Sequence, residues 1–320
     1  MRKKKLIYNF GSRYGFFSEY NNMILCYLYC LCNDIDFVLF DSNHRFSESH
    51  DLLDFFEPFC ITDNHVFNRK YNKRDFFGEM GWRTMLKDFF SKTEPSNEIP
   101  IKRMKHRLVG DFYKKLYGFD YYTYELFSSA RDRRLEQKHF IHKEMGIDGD
   151  LQDSCKSIID KLWVYKPNVQ AEVMQYISSI SMPNEYLGVH IRRGDKVMEY
   201  DMQDIKKYMT LLEQHSSLRV AFVLTDDYRT FLDLEKEYPD WEFHTLCEKS
   251  ECGYYHDEFM KGMSIENITR RHIKLFASMD ILSQSQLFVG SYSSNPGMYL
   301  GMRMGKGKVL GVDFENWRIW

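Results

Sequence analysis

The chain has 320 residues and a mass of 38.5 kDa, which is enough for a sizeable core and favours two domains over one. Its formal net charge is -2 and its pI is about 6.6, so it lacks the positive excess of a general nucleic-acid-binding protein. We expect no nucleic-acid partner. No stretch reaches about 18 uninterrupted apolar residues, and the apolar run after the basic start is too short for a signal peptide. The expected location is the cytoplasm, with peripheral contact at the inner face of a membrane left open.

The sequence contains seven cysteines, an odd number. Cys26, Cys30 and Cys32 lie in one apolar segment, where a helix would bury them as small hydrophobic side chains. Cys247 and Cys252 flank a loop and could form a disulfide in an oxidising compartment. Reduced thiols are the expectation, because nothing else in the sequence indicates secretion.

Residues 4–10 predict a first strand, and residues 19–32 form an apolar segment of helical length. The loop between them contains Gly11, Tyr14 and Gly15, and such a loop can present backbone N–H groups to an anion. Its spacing matches neither the dinucleotide-binding fingerprint nor the phosphate-binding loop, so a plain connecting turn explains it equally well. A second strand over residues 36–40 ends in the polar cluster 41–45.

Residues 51–142 lose this α/β alternation and are rich in Phe, Tyr, Lys and Arg. Aromatic and basic residues over 68–124 could bind an anionic or glycan acceptor, but helical faces with extended Lys and Arg side chains explain them as well. A helix over residues 167–181 is better supported, because Pro167 suits a first turn and apolar residues recur at helical spacing.

The segment 186–201, with the sequence YLGVHIRRGDKVMEYD, changes from a buried-strand pattern to a cluster of charge. Ligands of open α/β sheets bind beyond the carboxyl ends of strands, so the following residues occupy an expected binding position: His190, Arg192, Arg193, Asp195 and Lys196. The two guanidinium groups suit a diphosphate, and Gly194 allows a sharp turn. A solvated loop is the alternative. An adhesion role for the Arg-Gly-Asp tripeptide is disfavoured because it continues a strand.

Regular alternation of helices and strands follows this strand. We predict helices over 203–215, 228–238, 265–284 and 297–304, and strands over 219–224, 241–245, 287–290 and 308–312. This pattern is typical of a doubly wound nucleotide-binding domain. We therefore predict an N-terminal α/β domain with a helical insertion over residues 1–182 and a Rossmann-like domain over 183–320.

Other strand ends in this second half also carry polar groups. Asp226 and Asp227 could accept from ribose or guanine donors, or one of them could cap the next helix. The loop containing Tyr292, Ser293, Ser294 and Asn295 precedes a helix and could hold a phosphate. Asp280, on the long preceding helix, either faces the same site or lies on the surface.

Together these segments resemble the α1,6-fucosyltransferases of animal N-glycan core fucosylation and of rhizobial nodulation-factor synthesis. The resemblance rests on four ordered blocks: GVHIRRGDKV at 188–197, TDD at 225–227 with EKEYPDWEF at 235–243, ILSQSQLFVGSYSSN at 281–295, and more loosely the YG turn at 14–15 with DSNHR at 41–45. It implies a GT-B-like pair of open α/β domains facing a cleft. It also implies inverting, metal-independent transfer from GDP-fucose, without a cofactor.

The resemblance also assigns roles. His190 would contact the guanosine, Arg192 the β-phosphate, and Ser293, Ser294 and Asn295 the diphosphate, while Asp195 and Lys196 would support the reacting end. The family's candidate general base aligns with Tyr200, whereas this sequence has Glu199 one place earlier. Its guanine-binding carboxylate aligns with Ser278, and the nearest one here is Asp280.

We therefore predict a fucosyltransferase, of α1,6 type, acting on an oligosaccharide or glycoconjugate. Growing negative charge on the departing diphosphate would be stabilised by Arg192 and loop N–H groups. The adjacent aspartates of TDD at 225–227 lack the spacer of the aspartate pair that binds metal in metal-dependent glycosyltransferases. Two alternatives remain: a glycosyltransferase using another nucleotide sugar, and a non-catalytic glycan- or nucleotide-binding protein.

Overall fold

The computed structural model describes residues 2–73, 98–194, 203–253 and 262–319, together with the single residues 83, 86, 87 and 90. The chain divides into two compact units. Unit 1 comprises Met1–Arg45, Ser49–Asp54 and Pro58–Asp132, and unit 2 comprises Phe46–Glu48, Phe55–Glu57 and Arg133–Trp320.

Unit 1 is built on a four-stranded parallel sheet. Its elements are β1 (Lys4–Asn9), α1 (Phe16–Cys32), β2 (Ile35–Phe40), β3 (Ile61–Thr62), α2 (Phe67–Tyr71), α3 (Glu98–Leu116), β4 (Tyr121–Tyr122) and α4 (Thr123–Ala130). The strand order is β3-β2-β1-β4. The predicted first two strands and first helix are confirmed, with the helix beginning three residues earlier than expected. Between residues 51 and 142, the sequence did not reveal β3, α2, β4 or α4 individually, because these elements are short.

Unit 2 is a five-stranded parallel sheet with a small hairpin before it. Its elements are β5 (Phe140–His142), β6 (Ile147–Gly149), α5 (Leu151–Leu162), α6 (Pro167–Ser178), β7 (Leu187–Ile191), α7 (Ile205–His215), β8 (Val220–Thr225), α8 (Tyr228–Glu237), β9 (Glu242–His244), α9 (Ile265–Gln284), β10 (Phe288–Gly290), α10 (Asn295–Met304) and β11 (Val309–Gly311). The order is β11-β10-β7-β8-β9, and β5 pairs antiparallel with β6.

The sheet of unit 2 is doubly wound about β7. The chain runs from β7 through β8 to β9 on one side, then returns through α9 to β10 and β11 on the other. Leu187, Val189 and Ile191 pack in the core with α7 and α8. Gly188 faces α9, since a Cβ atom there would lie 2.8 Å from Cδ2 of Leu282. The order of strands therefore reverses between β7 and β10, where open α/β sheets bind ligands.

The predicted fold class of two open α/β domains is confirmed, and every predicted strand and helix of residues 183–312 is present within a few residues. The division between units differs from the predicted one: it falls near residue 132, and residue 183 lies inside unit 2. The reason is that α5 contacts α10 and α6 contacts α9, so both helices belong to the second core. Residues 55–57 join that core too, where Phe55 and Phe56 pack against Phe276.

Two smaller expectations concern the cysteines and the membrane. All seven cysteines are unbridged, including Cys247 and Cys252. Cys26 and Cys30 are buried in α1 as expected, whereas Cys32, the last residue of the helix, is exposed. Among the residues that the structure describes, no helix is long and apolar enough to span a bilayer.

Candidate functional site

The carboxyl end of β7 carries an arginine that is held by an aspartate from the next strand. Ile191 lies opposite Thr225, so the residues that follow β7 and β8 are neighbours. The guanidinium of Arg192 forms an ion pair with the carboxylate of Asp226. The backbone N–H of Arg193 donates to the other oxygen of Asp226 over 2.7 Å. Asp226 thus fixes both the side chain of Arg192 and the path of the backbone after it.

Arg193 extends toward different partners from those of Arg192. Its Nε donates to the hydroxyl of Thr230 over 3.4 Å, and its terminal nitrogen donates to the carbonyl of Gln203 over 3.2 Å. Gly194 follows with φ at +62°, a conformation that glycine adopts without strain. The positive φ of Gly194 agrees with its predicted freedom to turn, and Arg193 anchors the end of β7 to Gln203, just before α7, and to Thr230 of α8.

His190, the last residue but one of β7, lies next to the loop after β10. The side chain is buried, and its Nδ1 is 3.4 Å from the hydroxyl oxygen of Ser294. That hydroxyl donates its only proton to the carbonyl of Ser291 over 2.8 Å and accepts from the N–H of Gly297. Because the Ser294 proton is directed to Ser291, we assign the proton of the neutral ring to Nδ1, which leaves Nε2 as an acceptor.

Burial, with a smaller contribution from nearby Arg192, lowers the pKa of His190 from 6.5 to about 3. The imidazole is consequently neutral throughout the physiological pH range. A neutral ring with a free lone pair on Nε2 can accept a hydrogen bond from a hydroxyl or N–H group of a ligand.

The loop between β10 and α10 is ordered by a carboxylate from beyond β11. The N–H groups of Tyr292 and Ser293 both donate to the side chain of Asp313, each over 2.9 Å. Ser294 caps α10 by accepting from Gly297. The N–H groups of Tyr292, Ser293 and Gly297, which could have bound a phosphate, thus donate to side chains of this chain. Sequence reasoning missed Asp313, although its position directly after a predicted strand was the available signal.

Asp227 serves as the cap that the sequence left as an alternative. Its side chain accepts from the N–H of Arg229 over 3.0 Å at the start of α8 and pairs with the Arg229 guanidinium. The hydrogen bond from Arg229 holds the pKa of this carboxyl below its usual value, despite partial desolvation. Of the two adjacent aspartates, Asp226 binds Arg192 and Asp227 caps a helix.

Asp280 and Ser278 have partners of their own within unit 2. Asp280 is buried, and its carboxylate accepts from Trp163 Nε1 over 3.1 Å and from the Tyr165 hydroxyl over 3.0 Å, and pairs with Arg303 over 2.6 Å. The hydroxyl of Ser278 donates to the carbonyl of Lys274, one turn earlier in α9. Asp280 therefore joins α9, α10 and the segment after α5. It does not lie on the surface, and its carboxylate does not pair with His190 or Ser294.

The loop after β1 in unit 1 is organised in a similar way. Gly11 has φ at +75°, and a Cβ atom there would lie 2.7 Å from a carboxylate oxygen of Asp51. Tyr14 is partly exposed, and its N–H and that of Arg13 donate to Glu19 over 2.8 and 3.0 Å. Burial raises the pKa of Glu19. The two N–H groups of this loop thus meet a carboxylate of α1.

Three predicted site residues, Asp195, Lys196 and Glu199, lie outside the described residues. Of the others, the structure brings together His190, Arg192, Arg193, Asp226 and the loop 292–295. Among the described residues, no group of three or more His, Cys, Asp or Glu side chains has the arrangement of a metal site.

No model of a known protein family matches this chain. Several solved structures do match it in fold. NodZ α1,6-fucosyltransferase soaked with GDP-fucose is 12% identical, with a TM-score of 0.51 over 94% of this chain and 92% of that chain. Fucosyltransferase NodZ from Bradyrhizobium is 13% identical at the same TM-score and coverage. A variant of Arabidopsis thaliana FUT1 in complex with GDP is 14% identical, with a TM-score of 0.51 over 99% of this chain and 72% of that chain. The chain therefore has the two-domain α/β fold of these fucosyltransferases.

Proposed function

We propose that this protein is a fucosyltransferase that uses GDP-fucose as donor and a hydroxyl of an oligosaccharide or glycoconjugate as acceptor. The observation that carries the proposal is the cluster of Arg192, Asp226, His190 and Ser294 where the strand order of unit 2 reverses. This is the position at which an open α/β sheet binds a nucleotide. The fold shared with NodZ structures supports the choice of donor.

In this proposal Arg192 stabilises the departing GDP. Its ion pair with Asp226 restricts the guanidinium before the donor binds, so little reorganisation is needed as the bond breaks. Negative charge on the diphosphate grows toward the transition state, and a fixed cation then stabilises the transition state more than the ground state. Arg192 would thereby supply the positive charge that a divalent cation supplies in metal-dependent enzymes.

His190 and Ser294 would orient the nucleoside part. The Nε2 acceptor of His190 suits a ribose hydroxyl or a guanine N–H group, and its depressed pKa keeps it neutral while it does so. Because Ser294 holds both the ring and the start of α10, a ligand at His190 would also contact the loop after β10.

The reaction would be an inverting displacement of α1,6 type. The acceptor oxygen forms a bond to the anomeric carbon of fucose while the bond from that carbon to the β-phosphate breaks, and GDP leaves with the electron pair. A carboxylate would take the acceptor proton, and Glu199 is our candidate. Asp195 and Lys196 would support the reacting end, and no metal takes part.

Unit 1 would bind the acceptor. Its aromatic and basic segment 68–124 suits the apolar faces and hydroxyls of sugar rings. We place the protein in the cytoplasm, where lipid-linked oligosaccharide precursors or short chitin-like oligomers are suitable acceptors.

One observation favours a second candidate, a glycosyltransferase that uses another nucleotide sugar. Ser278 stands where the resembling family has its guanine-binding carboxylate, and the carboxylate of Asp280 is engaged by Trp163, Tyr165 and Arg303. The base specificity of this site could therefore differ.

Calorimetric titration with GDP, UDP and GDP-fucose, followed by transfer to an oligosaccharide panel with and without EDTA, tests both candidates. We expect tighter binding of GDP than of UDP, and transfer that EDTA leaves unchanged. A preference for UDP would favour the second candidate, and binding without turnover on any acceptor would point to a non-catalytic protein.

A further inference from the structure

One face of α3 in unit 1 exposes a row of apolar side chains. Ile101, Leu108, Phe112 and Leu116 are 51%, 55%, 62% and 61% exposed. Their spacings of seven, four and four residues place them on the same side of the helix. Single exposed apolar residues are ordinary, but a row of four over 16 residues forms a patch, and patches of this kind usually mark an interaction surface.

Among the described side chains of residues 101–116, the exposed charges near this row are all positive. At about 100° per residue, Lys102 and Lys115 flank the row on opposite sides, and Lys105 lies within it, between Ile101 and Leu108. All three side chains are exposed. No acidic residue is exposed among those of 101–116, because Asp111 is half-buried between Arg107 and Lys114.

The opposite face of α3 is fixed to unit 1, so the helix cannot rotate to bury the row. Arg107 and Lys114 each pair with Glu125 over 2.7 Å. The hydroxyl of Tyr122 donates to the carbonyl of Gly110 over 2.8 Å. The apolar row is therefore a stable feature of the folded surface.

We propose that the exposed face of α3 binds the surface of an anionic lipid membrane. A helix with Leu and Phe on one side and Lys along both edges lies in the plane of such a surface, with the apolar side chains among the acyl chains and the ammonium groups at the phosphates. A protein partner of mixed charge would be expected to meet acidic as well as basic groups, and no side chain that the structure describes on this face is acidic. This inference concerns part of the segment 68–124 to which the proposed function assigns acceptor binding, and a membrane location would bring the protein to lipid-linked acceptors.

Cosedimentation of the full chain with phosphatidylcholine vesicles, with or without phosphatidylglycerol, tests the proposal. We expect binding only to the anionic vesicles, weakened by salt. Leu108→Gln with Phe112→Gln should reduce partitioning about tenfold or more, because apolar area is no longer buried. Lys105→Gln and Lys115→Gln should each reduce it about fivefold.

Met174→Gln with Leu232→Gln is the matched control, since these side chains are 46% and 48% exposed on helices of unit 2. It should bind vesicles like the unchanged protein, and all variants should keep their melting temperature and GDP affinity. Equal binding to neutral and anionic vesicles, or full binding by the Leu108 and Phe112 variant, would overturn the proposal. So would a dimer in solution that this variant converts to a monomer, because the face would then bind a second copy.

Discussion

The Nδ1 atom of His190 lies 3.4 Å from the hydroxyl of Ser294, and this contact joins the ends of β7 and β10 where the strand order reverses. The two residues are 104 positions apart in the chain. Their contact places the charged segment after β7 and the serine-rich loop after β10 at one site. It also fixes the histidine tautomer, because the serine proton is already donated to Ser291.

Replacing Arg192 should abolish most transfer activity. Arg192→Ala removes the fixed cation, and we expect kcat to fall at least about a hundredfold, as when an oxyanion donor is removed. Arg192→Lys should fail as well, because an ammonium cannot bind Asp226 and a phosphate with one planar fork. Steady-state kinetics with GDP-fucose measures both.

Arg270→Ala is the control for these variants, since this exposed arginine of α9 pairs with the exposed Glu266 one turn away. It should retain full activity. Near-normal rates in Arg192→Ala would show that this arginine does not hold the diphosphate.

Asp226 should act through Arg192. Asp226→Asn keeps the shape of the side chain but removes the negative charge that holds the Arg192 guanidinium. We therefore expect the affinity for GDP-fucose to fall about tenfold and the melting temperature to change little. In a double-mutant cycle with Arg192→Ala, the two effects should be far from additive, with a coupling of about 1–3 kcal/mol. Additive losses would mean that Asp226 contacts the donor independently. Asp240→Asn, on the exposed turn before β9, is the matched control.

Asp313 should be required for the loop after β10. Asp313→Ala leaves the N–H groups of Tyr292 and Ser293 without their carboxylate, and we expect weaker GDP binding by about tenfold and a stability loss of about 1–3 kcal/mol. Titration calorimetry and urea unfolding measure the two effects. The exposed neighbour Glu315→Ala should change neither. Tighter GDP binding in Asp313→Ala would instead indicate that the carboxylate competes with phosphate for these donors.

Gly297, in the first turn of α10, and Gly15, in the loop before α1, should respond very differently to replacement by alanine. A Cβ atom at Gly297 would lie 2.0 Å from the carbonyl oxygen of Ser291, so Gly297→Ala must displace the loop and the start of α10. We expect loss of GDP binding and destabilisation of about 1–3 kcal/mol. At Gly15, no atom lies within 4 Å of such a Cβ and φ is -69°, so Gly15→Ala should fold normally. Thermal melting with and without GDP decides both.

Acid should destabilise unit 2 through two buried histidines. Burial lowers the pKa of His190 to about 3 and that of His272 to about 4, whereas both titrate near 6.5 when unfolded. Between these values the unfolded chain binds more protons, so stability decreases as the pH falls below about 6.5. Each unit of difference between the folded and unfolded pKa values corresponds to about 1.4 kcal/mol in the free energy of unfolding.

Urea unfolding at pH 7 and pH 4.5 measures this effect. His272→Gln should reduce the pH dependence of the free energy of unfolding, because glutamine binds no proton in the folded or the unfolded state. The exposed His215→Gln is the control. If the stability of His272→Gln fell between pH 7 and pH 4.5 as much as that of the unchanged protein, groups other than His272 would govern acid unfolding.

Much of unit 2 was predictable because its elements follow local hydrophobic patterns. The buried run 187–191 and the periodic helices after it are set by residues near one another in sequence, and the rule that ligands bind at strand ends then selects His190, Arg192 and Ser294. The short strands and helices of residues 51–142 were not predictable, since a two-residue strand such as Tyr121–Tyr122 carries no period of its own.

The sequence by itself determined which polar groups stand at the ends of strands, and only the tertiary structure decided what each one binds. Asp226 and Asp227 are adjacent and chemically identical, yet one holds Arg192 and the other caps α8. Asp280 meets Trp163 and Tyr165 from more than a hundred residues away. A buried carboxylate must find donors to offset its desolvation, and which donors are within 3 Å depends on how the helices pack on the sheet.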